Sequence, residues 1–144
     1  MTTSQISTID QRLCFALYST SQAIIKTYRP FLKSLNMTYP QYLVFIVLVE
    51  HKELTVKHLG EYLHLDSGTL TPLLKRMEQQ GRVIRQRSEQ DERKVMVKLT
   101  QEATTLIPEV AQMQKSVACA TGLETQEFTE LLSKLQGLKQ NLLE

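Results

Sequence analysis

Residues 11–42, QRLCFALYSTSQAIIKTYRPFLKSLNMTYPQY, bring Cys14 together with Tyr18, Tyr28, Tyr39 and Tyr42, four of the five tyrosines in a chain of 144 residues. A thiol becomes reactive when its anion is stabilised, since the thiolate and not the thiol is the nucleophile, the metal ligand and the species that oxidises. Phenol hydroxyls are suitable donors to such an anion. The other cysteine, Cys119, stands 105 residues further on. Two cysteines are too few for a disulfide scaffold and match no C-x-x-C metal or redox spacing, so each is an individual question. Composition by itself favours packing, because a free cysteine on an apolar stripe behaves as a small buried hydrophobe.

Chemistry at Cys14 depends on where the helices put the phenols. Leu13, Leu17, Ile24, Phe31 and Leu35, with the adjoining stripe Cys14, Tyr18, Ser21, Ile25, Tyr28 and Leu32, step by threes and fours. That spacing predicts a long first helix buried on a broad face. Asp10, or Thr8 with Gln11 three residues on, is the expected cap, and Pro30 the expected kink or end. Such a start leaves Cys14 four to six residues beyond the cap, at the edge of the helix dipole's reach. Tyr28 lies fourteen residues along the same helix, roughly 21 Å away at ~1.5 Å per residue. If the two meet, the helix either folds back or crosses a partner's copy. Leu13, Phe15, Leu17, Ile24 and Ile25 are core candidates that also suit an apolar approach to the sulfur.

Beyond this stretch the pattern turns to nucleic acid. TYPQYLVFIVLVEH predicts a central helix with Thr38 or Tyr39 as cap and Pro40 near its first position. LTVKHLGEYLHLDSGTLTPLLKRMEQQG gives a short helix opening at Thr55, a tight turn at HLDSG and a second helix ending at Gly81, with Leu59, Leu63, Leu65, Leu70, Leu73, Leu74 and Met77 as its buried contacts. This is the helix-turn-helix pattern, whose second helix lies in the major groove. With Ser67 or Thr69 opening that helix, Ser67, Thr69 and Thr71 stand at its leading end and Lys75 and Arg76 a turn further on. RVIRQRSEQDERKVMVKLT then alternates as a β-hairpin wing. Arg85, Arg87 and Arg93 are its candidates for phosphates or a minor groove, and Asp91 is placed to hold an arginine. Thr100 caps a helix running to about Cys119 with Pro108 as an interior kink, ATG at 120–122 stops it, and a last helix carries Phe128, Leu131, Leu132, Leu135, Leu138 and Leu142 at heptad-like spacing.

The totals agree with one domain, 1–144, mainly α with a small β-hairpin wing. Residues 8–52 form N-terminal helices for dimerisation and sensing, 53–100 the winged helix-turn-helix, and 101–144 C-terminal dimerisation helices. The terminal helices exceed what such a core covers, which predicts a homodimer. Lys75, Arg76, Arg82, Arg85, Arg87, Arg93, Lys94 and Lys98 against Glu78, Glu89, Asp91 and Glu92 put a local charge of +4 into a chain whose total is +2. Such a block resembles the electrostatic footprint of a polyanion site such as double-stranded DNA, and a solvated charged face is the other reading of it. No apolar run of eighteen residues offers a membrane span, and the N-terminus lacks the basic start and apolar block of a secretory signal, so the cytoplasm is the expected compartment.

The strings LCFALYSTSQAIIKTYRPFL, MTYPQYLVFIVLVEH and LDSGTLTPLLKR, with DER in the wing, resemble the multiple-antibiotic-resistance regulator (MarR) family over nearly the whole chain. More narrowly they resemble its organic hydroperoxide resistance regulator (OhrR) branch. The resemblance implies a dimeric winged-helix repressor, not an enzyme and needing no cofactor, that leaves its operator when an organic hydroperoxide oxidises Cys14. It also implies that Tyr28 and Tyr39 hydrogen-bond the sulfur with Tyr18 nearby, and that Cys119 makes the chain a two-cysteine member forming a disulfide between subunits. Three other readings stand beside it. One is a regulator of the same fold released by a small phenolic ligand, with inert cysteines. Another is a thiol peroxidase using Cys14, against which stands the lack of a peroxidase motif. The last is metal sensing by His51, His58 and His64, none of which are paired at the i, i+4 spacing.

Overall fold

The computed structural model describes residues 5–144, in which a 3-10 turn at Ile9–Gln11 precedes α1 (Leu13–Ser34), α2 (Tyr39–His51), β1 (Glu53–Thr55), α3 (Val56–Leu63), α4 (Ser67–Gln79), β2 (Val83–Arg87), β3 (Val95–Leu99), α5 (Gln101–Thr104), α6 (Ile107–Ala120) and α7 (Thr125–Leu143). Helix α2 explains the rest. Thr38 caps it through a reciprocal pair, its Oγ1 accepting from Gln41 N at 3.3 Å while Gln41 Oε1 accepts from Thr38 N at 3.0 Å. Its sequence is apolar all round because two cores share it. Tyr42 and Phe45 face one core with Leu32, Leu35, Met37, Ala103, Val110 and Met113. Val44 and Leu48 face the other, with Leu59, Leu70, Leu74, Met77, Val83 and Val97.

The second core belongs to the DNA-binding module. Thr55 caps α3, its Oγ1 accepting from His58 N at 3.1 Å. The turn that follows depends on His64 in the left-handed region (φ 56), not on Gly68, which lies inside α4. Gly60 is needed where the turn crosses α3, since a Cβ there would stand 2.8 Å from the Leu65 carbonyl. Neither Ser67 nor Thr69 caps α4: Asp66 does, its Oδ1 accepting from Thr69 N at 2.7 Å. Pro72 therefore sits within the helix and removes one intrahelical donor. The wing is more than a hairpin. β2 and β3 pair antiparallel with Val83 opposite Leu99 and Arg87 opposite Val95, and β1 adds a third antiparallel strand along β3, giving the order β1-β3-β2.

Three further expectations are corrected. Pro108 does not kink a continuous helix; α5 ends at Thr104 and Pro108 stands in the first turn of α6, where its missing N–H costs nothing. Pro30 does not end α1, which continues to Ser34. Nor does α1 start at Thr8 or Asp10, which belong to the 3-10 turn; Arg12 is the N-cap, without a side-chain bond. The broad apolar face of α1 is buried only at Leu32 within one chain, while Leu13, Phe15, Ile24 and Phe31 are exposed. Along α7 no residue is buried, and Phe128, Leu131, Leu132, Leu135 and Leu142 lie open. Among the described residues no helix is long and apolar enough to cross a membrane.

Candidate functional site

Starting α1 at Leu13 moves Cys14 to the second position of the helix. The N–H groups of that turn have no intrahelical acceptor, and the first intrahelical bond runs from Ala16 N to Arg12 O at 3.1 Å. Cys14 therefore stands in the first turn of the helix. Cys14 is exposed and lines an open, mostly apolar hollow with Ser7, Ile9, Arg12, Phe15 and Tyr18. Tyr18 itself is 62% exposed.

Tyr28 and Tyr39 come together elsewhere, at the far end of α1. Their rings lie 5.5 Å apart, centre to centre, and each also packs on Tyr42, at 5.1 Å from Tyr28 and 5.8 Å from Tyr39. Sequence reasoning missed Tyr42 as a site residue, although its place three residues after Tyr39, one helical turn on, was the available signal. Its hydroxyl accepts from Gln114 Nε2 of α6 at 2.9 Å, a contact across 72 residues with no local signature. Burial pushes the Tyr28 phenol up, assisted by the hydrogen-bonding hydroxyl of Tyr42 and by repulsion from Tyr42 and Tyr39. Tyr39 is raised for the same leading reason, then by Tyr42. Both phenols therefore keep their protons, and remain hydrogen-bond donors, well above neutral pH. With α1 unbroken between them, Cys14 and Tyr28 of one chain are about 21 Å apart along the helix. Cys119 is exposed near the end of α6.

In the winged module, α4 presents Ser67, Thr69, Thr71, Lys75 and Arg76, all exposed. The Thr69 hydroxyl and N–H, then Gly68 N–H, hydrogen-bond Asp66 and hold its carboxyl below the usual carboxylate range. Thr69 thus serves the cap. In the wing, Arg85 is 23% exposed at its side chain and is tied to Glu78 of α4. Arg87 Nη1 donates to the Glu92 carbonyl at 3.1 Å. Asp91 organises the tip: its Oδ1 accepts from Arg93 N at 3.1 Å and Arg93 Nε at 3.3 Å, and its carbonyl accepts from Lys94 N at 3.0 Å. The Arg93 side chain is still 91% exposed.

Between these two regions lies a cleft of about 690 Å³, bordered by the end of α1, the start of α2 and the end of α4. Arg29, Lys33 and Arg76 are its charged residues, and Tyr39 forms part of its wall. His51 stacks on Tyr62 at 4.6 Å. Among the described residues no group of three or more His, Cys, Asp or Glu is gathered as a metal site would require.

Comparison with known proteins agrees with this geometry. A family model described as transcriptional regulator SarA/Rot matches residues 26–110. The organic hydroperoxide resistance transcriptional regulator of Bacillus subtilis (strain 168) is 45% identical over 134 residues, covering 93% of this chain and 91% of that protein. Reduced AbfR bound to DNA superposes with a TM-score of 0.77 at 32% identity, over 94% of this chain and 95% of that one. Disulfide-formed AbfR superposes with a TM-score of 0.67 at 35% identity, over 93% and 89%.

Proposed function

The chain belongs to the MarR/SarA family of transcriptional regulators, and from that premise we propose that it is a dimeric, peroxide-sensing repressor whose switch is Cys14. As a DNA-binding regulator it is a protein of control and not of catalysis. The observation that carries the redox reading is the placement of Cys14, exposed in the first turn of α1 and bordered by Ile9, Phe15 and Tyr18. Similarity to a regulator of organic hydroperoxide resistance supports it.

Operator contact falls to the paired α4 helices, with Ser67, Thr71, Lys75 and Arg76 toward the major groove and Arg87 and Arg93 of the wing toward the backbone or minor groove. Arg85, engaged by Glu78, braces the wing on α4, and Thr69 holds the start of that helix. In the dimer the α1 helices cross, so that Tyr28 and Tyr39 of one protomer donate to the Cys14 thiolate of the other. The thiolate attacks the outer oxygen of an organic hydroperoxide; the O–O bond breaks, the hydroxyl stays on sulfur as a sulfenic acid, and the alkoxide leaves and takes a proton from water to become the alcohol. Cys119 of the second protomer then attacks that sulfur, and water leaves as the disulfide forms. Its Cα atoms must come within about 4.4–6.8 Å, which moves the terminal helices and with them the spacing of the two α4 helices. Cellular thiols reverse the change.

The test is DNA retention by wild type, Cys14→Ser and Cys119→Ser with and without an organic hydroperoxide, alongside non-reducing electrophoresis. Release is expected from wild type only in the oxidised arm and never from Cys14→Ser, and the cross-linked band is expected to be absent in both variants. A second reading has its own observation: Arg29, Lys33 and Arg76 in the cleft suit the carboxylate of a small phenolic acid. Release by such a ligand would survive Cys14→Ser, whereas release by peroxide would not.

A further inference from the structure

Arg82 lies outside both the thiol site and the operator-facing surface, yet it joins three elements. Its N–H donates to Met77 O at 2.8 Å, closing the end of α4, and its carbonyl accepts from Thr100 N at 3.0 Å, the residue that caps α5. Gly81 before it takes φ 72, and the Gly81 carbonyl accepts from Thr100 Oγ1 at 2.6 Å. The backbone at this point is therefore fixed to the end of α4 and the end of β3.

From that fixed point the side chain reaches across to α1. Its Nη2 donates to the Leu35 carbonyl at 2.7 Å, at the C-cap where Asn36 turns the chain with φ 52. A cation at a helix C-terminus is electrostatically well placed. No other side-chain hydrogen bond among the described residues links α1 to the winged module, and the 47 residues between donor and acceptor make it a tertiary tie. The other terminal nitrogen, Nη1, is buried with no hydrogen-bond partner. An unpaired buried donor is destabilising, and a guanidinium cannot shed its charge. An unbranched apolar side chain would fill the same space without that penalty, but it would not hold α1 to the junction of α4 and β2.

We propose that Arg82 is a positioning residue for operator recognition: it sets the angle between α1 and the module carrying α4 and the wing, and so the separation of the two recognition helices in a dimer. This rests on the dimeric DNA-binding reading. Paired helices read half-sites one duplex turn apart, so a tie that fixes their separation acts on spacing more than on contact with a single half-site.

The probe is a duplex enriched from a random library by the wild-type protein, compared with the same duplex carrying one base pair inserted at its centre. Wild type discriminates between the two. In Arg82→Met that ratio of affinities falls by about tenfold, the factor one charge-assisted bond carries, while the thermal midpoint is unchanged or higher. Arg82→Lys, which keeps a donor for the Leu35 carbonyl, keeps the wild-type ratio. Unchanged discrimination in Arg82→Met overturns the proposal, and so does a lowered midpoint or failure to fold, because the side chain would then be structural. Failure of wild type to enrich any duplex is a different result: it sinks the DNA-binding reading and this inference with it.

Discussion

The winged module and the terminal helices are built on opposite terms. Around α3, α4 and the sheet, the apolar residues Leu59, Leu70, Leu74, Met77, Val83 and Val97 are closed off within one chain. Along α1 and the whole of α7, residues of the same chemistry remain open: Leu13, Phe15, Ile24, Leu131, Leu132 and Leu135. A module that must meet DNA in a fixed shape completes its core alone. On the proposed reading, the helices that carry the sensing thiol leave their faces for a second copy, where a change in packing can alter the spacing of two modules.

That contrast can be broken in order of effect. Leu131→Glu with Leu135→Glu leaves helical content and the fold of the single chain intact, since both positions are exposed there. The dimer dissociation constant rises by roughly a thousandfold or more, because two carboxylates from each protomer must otherwise be buried; analytical ultracentrifugation reads this. If both variant and wild type sediment alike, α7 is not the interface. Leu74→Ala has the reverse signature, with a loss of ~2–5 kcal/mol in unfolding stability from a core position and no direct effect on association. Denaturant unfolding at high protein concentration measures it.

The tyrosine cluster sharpens the comparison at smaller amplitude. Tyr28 and Tyr39 have raised phenol values, so the folded chain holds protons that the unfolded chain releases. Their contribution to stability is complete below the ordinary phenol value of about 10 and is lost as pH rises through the folded values. Tyrosinate absorbance during an alkaline titration should show a late-ionising class that disappears in Tyr28→Phe with Tyr39→Phe. Gln114→Leu, which removes the donor to Tyr42, costs about 0.5–1.5 kcal/mol and loosens the cluster without touching Cys14.

The parts legible in the sequence are those governed by neighbours in the chain. Thr38, Thr55 and Thr100 announce their helices because each hydroxyl accepts from an N–H three residues on. The alternation of residues 95–99 gives β3, and the helix-turn-helix follows from its leucines. What the sequence does not disclose is set by distant partners. β1 is three residues long and exists as a strand only through β3, some forty residues later. The start of α1 is obscured because the polar residues that resemble a cap form a separate 3-10 turn. Pro108 reads equally as a kink or a start until the end of α5 is known. Tyr42 with Gln114, Arg85 with Glu78, and Arg82 with Leu35 are tertiary contacts without local periodicity.

One measurement tests the proposed sensor directly. Cys14→Ser lacks the sulfur, and Tyr28→Phe with Tyr39→Phe lacks the phenols, so each homodimer should react slowly with an organic hydroperoxide. Co-refolding the two in equal amounts makes mixed dimers in which Cys14 of one chain faces the intact phenols of the other. If the site is shared between protomers, fast sulfenic acid formation returns at about a quarter of the wild-type number of sites. A mixture no faster than the unmixed tyrosine variant would contradict a thiolate held by the phenols of its partner.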